Sequence, residues 1–256
     1  ILRENKKKMK RNRFVLKRTL KMLVAFLVVT LSARAQNVTV SGAVVGNGTY
    51  PDLNSAFTAI NLGVQTGANI TIGISASTTE TTTALLNAGA WNSVSITPVS
   101  GNFTVTGNIV GPLVDLNGAD NVTINGINTL GNYLTFDNTN TSNLSISTIR
   151  LINDASNNTI TNCRVSGAGT SIVCGTITFS VASVTGNNSN TISNCDIGPS
   201  SSVFPVNAIY SIGSLGFENT NNTIQNNNIF DFFSASLVTA GINIAGNNNS
   251  WTISGN

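Results

Sequence analysis

The stretch Asn157-Asn-Thr-Ile-Thr-Asn-Cys-Arg-Val165 decides the fold, because the chain repeats its pattern twice more. The later copies are Ser189-Asn-Thr-Ile-Ser-Asn-Cys-Asp-Ile197 and Asn221-Asn-Thr-Ile-Gln-Asn-Asn-Asn-Ile229. Shorter matches extend the series, so that Thr-Ile pairs end at Ile124, Ile160, Ile192, Ile224 and Ile253, at spacings of 36, 32, 32 and 29 residues. A repeat of this length is typical of a solenoid, in which each repeat is one structural unit stacked on the next.

Several repeats also contain a second apolar segment upstream of the Thr-Ile pair, such as Ile149–Ile152 or Ala208–Ile212. Strands of four or five residues with one apolar face cannot bury that face alone. If the units are stacked at the strand spacing of about 4.8 Å, equivalent side chains lie above one another. We therefore predict an all-β, right-handed parallel β-helix with Ile160, Ile192 and Ile224 stacked in its core.

A β-sandwich is the alternative fold, because its strands also recur at short, regular intervals. Its strands occupy different environments, however, and do not need the same Asn-x-Thr-Ile-x-Asn string in successive units. The repetition of that string favours the β-helix.

Asparagines hold a fixed position in the repeat at Asn162, Asn194 and Asn226. Asn tolerates the left-handed backbone conformation that a sharp corner requires. Stacked Asn side chains can also form a hydrogen-bonded ladder. We expect these three residues to form a structural ladder along one corner of the solenoid.

Two of the three cysteines, Cys163 and Cys195, share the next repeat position and are expected to lie in neighbouring coils. They would stack either as buried thiols, which behave as small apolar residues, or as a disulfide, since the strand spacing lies within the usual Cα–Cα range. A disulfide would leave Cys174 as an odd thiol.

The first 35 residues are predicted to be a signal peptide together with upstream residues. They contain 11 of the 13 Lys and Arg residues, followed by the apolar run Met22–Leu31 and the small-x-small site Ala33-Arg-Ala35. This order of regions is that of a secretory signal peptide, and the run is shorter than the roughly 20 residues of a membrane span. We expect a secreted or cell-surface protein with no membrane insertion after cleavage.

Removal of this segment reverses the net charge of the chain, which is +3 overall. Residues 36–256 keep only Arg150 and Arg164 against nine acidic residues, which gives 2 − 9 = −7. Nucleic-acid binding depends on cations that neutralise phosphates, and so does attraction to anionic membranes. Both are excluded as partners, and a monomer that contacts carbohydrate or cell-surface components is expected.

Residues 36–68 are predicted to form an N-terminal cap. Asp52 is suited to the N-cap position of a short helix, and Leu53, Ala56, Phe57 and Ile60 follow at the i, i+3, i+4 and i+7 positions of one apolar face. Such a helix would cover the open end of the first coil. The β-helix coils are predicted over residues 69–256 and are expected to be truncated at the C-terminus.

The sequence offers little chemistry. It contains no histidine, which excludes Ser-His-Asp and Cys-His nucleophiles. Asp154 near Arg150 or Arg164 is the best candidate for an acid–base group, although turn capping or a solvated ion pair explains these residues equally well. We predict no catalytic, cofactor-binding or metal-binding residue; calcium at Asp/Asn corners stays open because oxygen ligands abound.

An ice-binding face is not expected either. Such a face would need a regular Thr-x-Thr ladder, and Thr176-x-Thr178 does not recur at the repeat spacing.

The Asn-Asn-Thr-Ile-x-Asn-x-x-Ile string resembles the repeat of right-handed parallel β-helix proteins of the pectate-lyase-like superfamily. The opening segment Gly48-Thr-Tyr-Pro-Asp-Leu-Asn-Ser-Ala-Phe-Thr-Ala-Ile60 is similar to the start of large bacterial surface proteins exported by the type IX route. The resemblance implies a structural, adhesin-like or glycan-binding scaffold with a sorting domain further along. The alternative that it implies is a polysaccharide lyase or glycoside hydrolase whose catalytic coils lie beyond residue 256.

Overall fold

The computed structural model describes Arg3, Glu4, Met9 and residues 35–256 apart from 130, 132 and 143. The predicted signal peptide therefore lies almost wholly outside the described residues. Residues Gln36–Asn256 form one compact unit, a parallel β-solenoid of about six turns with one short helix. This confirms the predicted fold class, while the right-handed sense of the coil stays a prediction.

Three long sheets form the sides of the solenoid, because successive coils pair strand on strand in parallel. Sheet A has nine strands in the order β2-β1-β3-β6-β9-β12-β15-β19-β23: Gly48–Tyr50, Val38–Ser41, Asn69–Ile74, Ser93–Pro98, Val122–Asn125, Thr159–Thr161, Thr191–Ser193, Thr223–Gln225 and Thr252–Ser254. Sheet B is formed by β4, β7, β10, β13, β16 and β20: Thr78–Glu80, Asn102–Gly107, Tyr133–Asn138, Cys163–Gly167, Asp196–Pro199 and Asn228–Ile229.

Sheet C is formed by β5, β8, β11, β14, β17 and β21: Ala84–Asn87, Pro112–Asn117, Ser147–Ile152, Ile177–Phe179, Asn207–Ser211 and Ala240–Ile244. A two-stranded sheet pairs β18, Asn219–Thr220, with β22, Asn248–Asn249. Each complete coil therefore contributes one strand to each of the three long sheets.

A single column of isoleucine runs through the core behind sheet A. Its members face one another in register from coil to coil: Ile72, Ile96, Ile124, Ile160, Ile192, Ile224 and Ile253. All are buried except Ile253, which is 47% exposed on the last strand. Full burial of one such side chain contributes roughly 1.5–3 kcal/mol, so this column is a large part of what stabilises the stack.

The corners on either side of this column are made by residues with a left-handed backbone. One corner comprises Asn121, Asn157, Ser189, Asn221 and Ser250, with φ between 55° and 58°. The other comprises Asn162, Asn194 and Asn226, with φ between 53° and 55°. Asn is the non-glycine residue that visits this region most readily, which explains why the repeat keeps it on both sides of the Thr-Ile pair.

The N-terminal end has a helix, α1, over Leu53–Ile60. The Asp52 side chain accepts a hydrogen bond from the Ser55 N–H at 2.7 Å, and the four apolar residues of the predicted face are buried. The structure adds two strands that the sequence did not predict: β1 pairs antiparallel with both β2 and β3. These strands extend sheet A beyond the first coil.

A buried carboxylate fixes this helix to the first coil. The Oε1 and Oε2 atoms of Glu80 accept hydrogen bonds from the N–H groups of Leu53 and Asn54, at 3.0 and 2.9 Å. Negative charge is favoured at a helix N-terminus, where N–H groups lack partners within the helix. Glu80 lies 26 residues beyond Asn54 in the chain, so no local pattern predicts this contact.

Candidate functional site

The outward face of sheet A carries an unbroken column of hydroxyl residues, which we name the Thr/Ser column. It is formed by Thr71, Ser95, Thr123, Thr159, Thr191, Thr223 and Thr252, each opposite the next in register. The residue after each of them is the inward isoleucine, and side chains of a strand alternate between its two faces. The column follows from the same Thr-Ile pair that fixed the fold.

A second polar column, which we name the Asn/Ser column, lies beside the first at the position two residues earlier. It is formed by Asn69, Ser93, Asn121, Asn157, Ser189, Asn221 and Ser250, and all of them are exposed except Ser93, which is half-buried. Together the two columns form what we call the amide–hydroxyl face. None of its 14 residues is ionisable.

The side chains of this face are available for an external ligand. No hydroxyl of the Thr/Ser column has a hydrogen-bond partner among the residues that the structure describes. In the Asn/Ser column, the side-chain bonds to other described residues are those of Ser93 Oγ with Asn69 Oδ1 and of Ser250 Oγ with Asn249 Oδ1. Hydroxyl and carboxamide groups both donate and accept hydrogen bonds. The face thus presents a regular array of unengaged donors and acceptors.

The Thr/Ser column does not have the Thr-x-Thr pattern, which is why the sequence did not predict it. The position two residues after the Thr/Ser column is mixed: Gly73, Thr97, Asn125, Thr161, Ser193, Gln225 and Ser254. The useful signal was the threonine of the repeated Thr-Ile pair, which recurs alone.

The predicted asparagine ladder needs a correction. Asn162 bonds through Nδ2 to the Oδ1 atom of Asn125, at 3.0 Å. Within the described residues, however, no side-chain bond joins Asn162, Asn194 and Asn226 to one another. These residues serve as left-handed corners, and each of them donates its backbone N–H to a carbonyl of the next coil.

The hydrogen-bonded ladder lies four residues earlier, at Asn158, Asn190 and Asn222. Oδ1 of Asn190 accepts from the Asn158 N–H at 2.9 Å, and Oδ1 of Asn222 accepts from the Asn190 N–H at 2.8 Å. All three side chains are buried. The inner Asn of each Asn-Asn or Ser-Asn pair therefore links the coils, while the outer residue forms the corner.

Cys163 and Cys195 lie in adjacent coils, next to the register pair Arg164 and Asp196. Both are buried, and they are free, as is Cys174. Burial raises the pKa of the Cys163 thiol well above its usual value, which keeps it neutral and poorly nucleophilic. Both cysteines thus occupy this repeat position as buried, free thiols.

The acid–base group suggested by the sequence does not assemble. Arg150 forms a bidentate ion pair with Asp115, with Nε–Oδ1 and Nη2–Oδ2 distances of 2.9 and 2.7 Å. Asp154 instead accepts hydrogen bonds from the backbone N–H groups of residues 183–186. These backbone bonds lower the pKa of Asp154 despite an opposing contribution from burial. Asp154 therefore organises a loop.

Ionisable side chains do gather on the outward face of sheet B, in a group that we name the Tyr133 cluster. It comprises Tyr133, Asp137, Arg164 and Asp196. The Tyr133 hydroxyl lies 3.1 Å from Oδ2 of Asp196. Arg164 lies opposite Asp196 in register, and its guanidinium carbon lies 4.5 Å from the centre of the Phe230 ring.

Asp137 is the member of the Tyr133 cluster that is not satisfied by the protein. Its Oδ1 atom is buried and has no hydrogen-bond partner in the described part of the chain. Burial raises the pKa of Asp137, while Arg164 lowers it by less. Burial, with Asp196 nearby, also raises the pKa of Tyr133, so Tyr133 stays a hydrogen-bond donor.

No group of three or more His, Cys, Asp or Glu side chains is placed to hold a metal ion among the described residues, and calcium at Asp/Asn corners is left open. None of the helices that the structure describes has the length and hydropathy of a membrane span.

The fold and its faces define a parallel β-solenoid scaffold with an uncharged polar array on sheet A. Comparisons with protein-family models, with curated proteins and with solved structures each gave no match. The function must therefore be argued from the residues of this chain.

Proposed function

We propose that this chain is a secreted or cell-surface β-helix scaffold of the adhesin-like, glycan-binding kind, which binds carbohydrate through the amide–hydroxyl face. The observation that carries the proposal is the Thr/Ser column, seven hydroxyls in register with no partner in the described protein. Sugar hydroxyls need several directional donors and acceptors at once, and an array supplies them without rearrangement. Threonine is also stiff about χ1, so little side-chain entropy is lost on binding.

Export is part of the proposal. It rests on the basic segment, the short apolar run and the Ala33-Arg-Ala35 site. We extend it to a pectate-lyase-like, type IX-exported monomer on the resemblance of the repeat. Recovery of the chain from the culture medium or cell surface, with Gln36 as its first residue, is the expected result. Retention of residues 1–35 on an intracellular protein would contradict it.

Glycan binding is tested by applying the full chain to a glycan array, followed by affinity measurements on the best ligand. The double variant Thr191→Val and Thr223→Val keeps the β-branched shape and removes two neighbouring hydroxyls. Because a hydrogen bond contributes a net of about 1 kcal/mol, we expect binding to weaken at least about tenfold.

The matched control is Thr104→Val with Thr135→Val, two register neighbours on the outward face of sheet B. This pair should leave the affinity unchanged. An equal loss of glycan affinity in the two double variants would contradict binding through the amide–hydroxyl face. The absence of binding to every glycan on the array would contradict glycan binding itself.

The second candidate function is a polysaccharide-cleaving enzyme, and the Tyr133 cluster favours it. Glycoside hydrolases use two carboxyl groups, and Asp137 and Asp196 lie on one face with Arg164. Burial raises the pKa of Asp137, which is what a general acid requires. If this candidate is right, the full chain releases new reducing ends from a bound polysaccharide and Asp137→Asn abolishes the release. Binding without release would favour the scaffold.

A further inference from the structure

The amide–hydroxyl face has an electrostatic property that selects among glycans. Its 14 positions are uncharged, and the only cations of residues 36–256 are Arg150 and Arg164. Arg150 belongs to sheet C, where it is paired with Asp115. Arg164 belongs to sheet B, where it donates to Ser166 Oγ and to the Pro199 carbonyl. Neither arginine lies on sheet A.

A polyanionic glycan would therefore meet no compensating charge on this face. It would also approach a unit with nine acidic residues against two arginines, and repulsion of this kind lowers both encounter rate and affinity. A carboxylate or sulfate group accepts hydrogen bonds but does not donate them. The acceptors of the face would therefore find no donor at the charged groups of such a ligand.

An uncharged polysaccharide fits the array better. Every hydroxyl and carboxamide of the two columns can both donate and accept, and so can every sugar hydroxyl. Successive residues of the Thr/Ser column are separated by the strand spacing of about 4.8 Å. The column continues over seven strands along the stacking direction. A ligand that bonds successive rungs must be extended in that direction and must repeat its hydroxyls.

We infer that the amide–hydroxyl face binds an extended, uncharged polysaccharide along the stacking direction of the coils, and not a uronate or sulfated glycan. This inference rests on the proposed glycan binding and names its ligand class. It also makes sheet A, and not the charged residues of sheet B, the surface that determines specificity.

The experiment compares two sets of probes against the full chain. The uncharged set is xylan, mannan and mixed-linkage β-glucan; the anionic set is alginate, polygalacturonate and chondroitin sulfate. We expect binding to at least one uncharged probe, with an affinity that does not depend on salt concentration. Thr191→Val with Thr223→Val should weaken this binding about tenfold.

A charge variant sharpens the test. Asn157→Asp with Asn221→Asp keeps the side-chain size and adds two negative charges to the Asn/Ser column. Binding to the uncharged probe should keep its salt independence in this variant, because that ligand carries no charge to repel. Circular dichroism of each variant shows whether the fold is retained.

The outcomes separate this inference from the proposed function. Binding to the anionic set alone, lost at high salt, would overturn the ligand class and leave glycan binding in place. Binding to neither set would overturn both. Thermal hysteresis in freezing solutions without polysaccharide binding would also overturn both, because it would assign the face to ice.

Discussion

The early and late coils have different residue types at the buried position that precedes the Thr/Ser column. The residue before each member of the Thr/Ser column is apolar in the first three coils: Ile70, Val94 and Val122. In the next three coils it is Asn158, Asn190 and Asn222. Both sets are buried, although asparagine is far costlier to bury than valine unless it is hydrogen-bonded.

The backbone N–H of this position explains why asparagine is tolerated. In the early coils, the Val94 N–H donates to the Asn121 carbonyl of the next coil, at 3.1 Å. In the late coils, the Asn158 N–H donates to the Oδ1 atom of Asn190, and the Nδ2 atom of Asn190 donates to the Ala155 carbonyl. The Oδ1 atom of the asparagine thus accepts from a backbone N–H of the neighbouring coil, and its own Nδ2 group donates to a backbone carbonyl of that coil. Apolar packing and a closed amide ladder are alternative ways to stabilise the same step of the stack.

The largest effect that separates the two regions is expected from Asn190→Ala. This substitution leaves the Asn158 N–H and the Ala155 carbonyl without their hydrogen-bond partner. Because each buried unsatisfied group costs about 1–3 kcal/mol, the free energy of unfolding should fall by about 4 kcal/mol. The matched change Val94→Ala removes two methyl groups from an apolar rung and should cost about 2 kcal/mol. Urea denaturation measures both. Equal losses would mean that the amide ladder contributes nothing beyond its packing.

An intermediate effect is expected from Glu80→Gln in the first coil. Below pH 4.5 Glu80 is protonated, but its neutral carboxyl group still has two oxygens that can accept from the helix N–H groups. The carboxamide replaces one of these oxygens with an NH2 donor, so the loss should be about 2 kcal/mol. Burial raises the pKa of Glu80 above its usual 4.5, and hydrogen bonds from Asn54, Leu53 and Thr78 lower it by less. The folded state therefore retains a proton that the unfolded state releases. Wild-type stability should fall relative to the variant as the pH rises from 4.5 through the raised pKa.

Urea denaturation over a pH series checks this prediction, with Glu218→Gln as the control. Glu218 is half-buried and makes one long bond, 3.4 Å from the Gly216 N–H. Its substitution should change stability by no more than about 0.5 kcal/mol. A difference between wild type and Glu80→Gln that widens with rising pH would contradict the assigned sign.

The smallest effect is expected from Cys195→Asn, which extends an amide ladder by one coil. Oδ1 of Asn227 accepts from the Cys195 N–H, and Asn256 repeats this arrangement on Asn227, at 3.0 and 3.1 Å. An asparagine at 195 would offer the same acceptor to Cys163, so the change in stability should stay within about 1 kcal/mol. The control Ile197→Asn has no ladder to join and should cost about 3 kcal/mol or more. Thermal unfolding of the two variants measures the difference.

The sequence by itself determined the solenoid, its register and the helical cap. The repeated Thr-Ile pair placed Ile160, Ile192 and Ile224 in one inward column, because alternation along a strand and stacking between coils are both local rules. The Asp52 cap and the apolar face of α1 are likewise local, since a helix brings residues three and four apart onto one side.

Only the tertiary structure decided which side chains meet across coils. The sequence shows Asn157 and Asn158 as equivalent, whereas the corner turns one outward and the other into the core. The partner of Asp154 is a loop about 30 residues away, and that of the helix N-terminus is Glu80. Such contacts depend on coil length and corner geometry, which vary from turn to turn, so a repeat pattern fixes the stack but not the individual bonds between its coils.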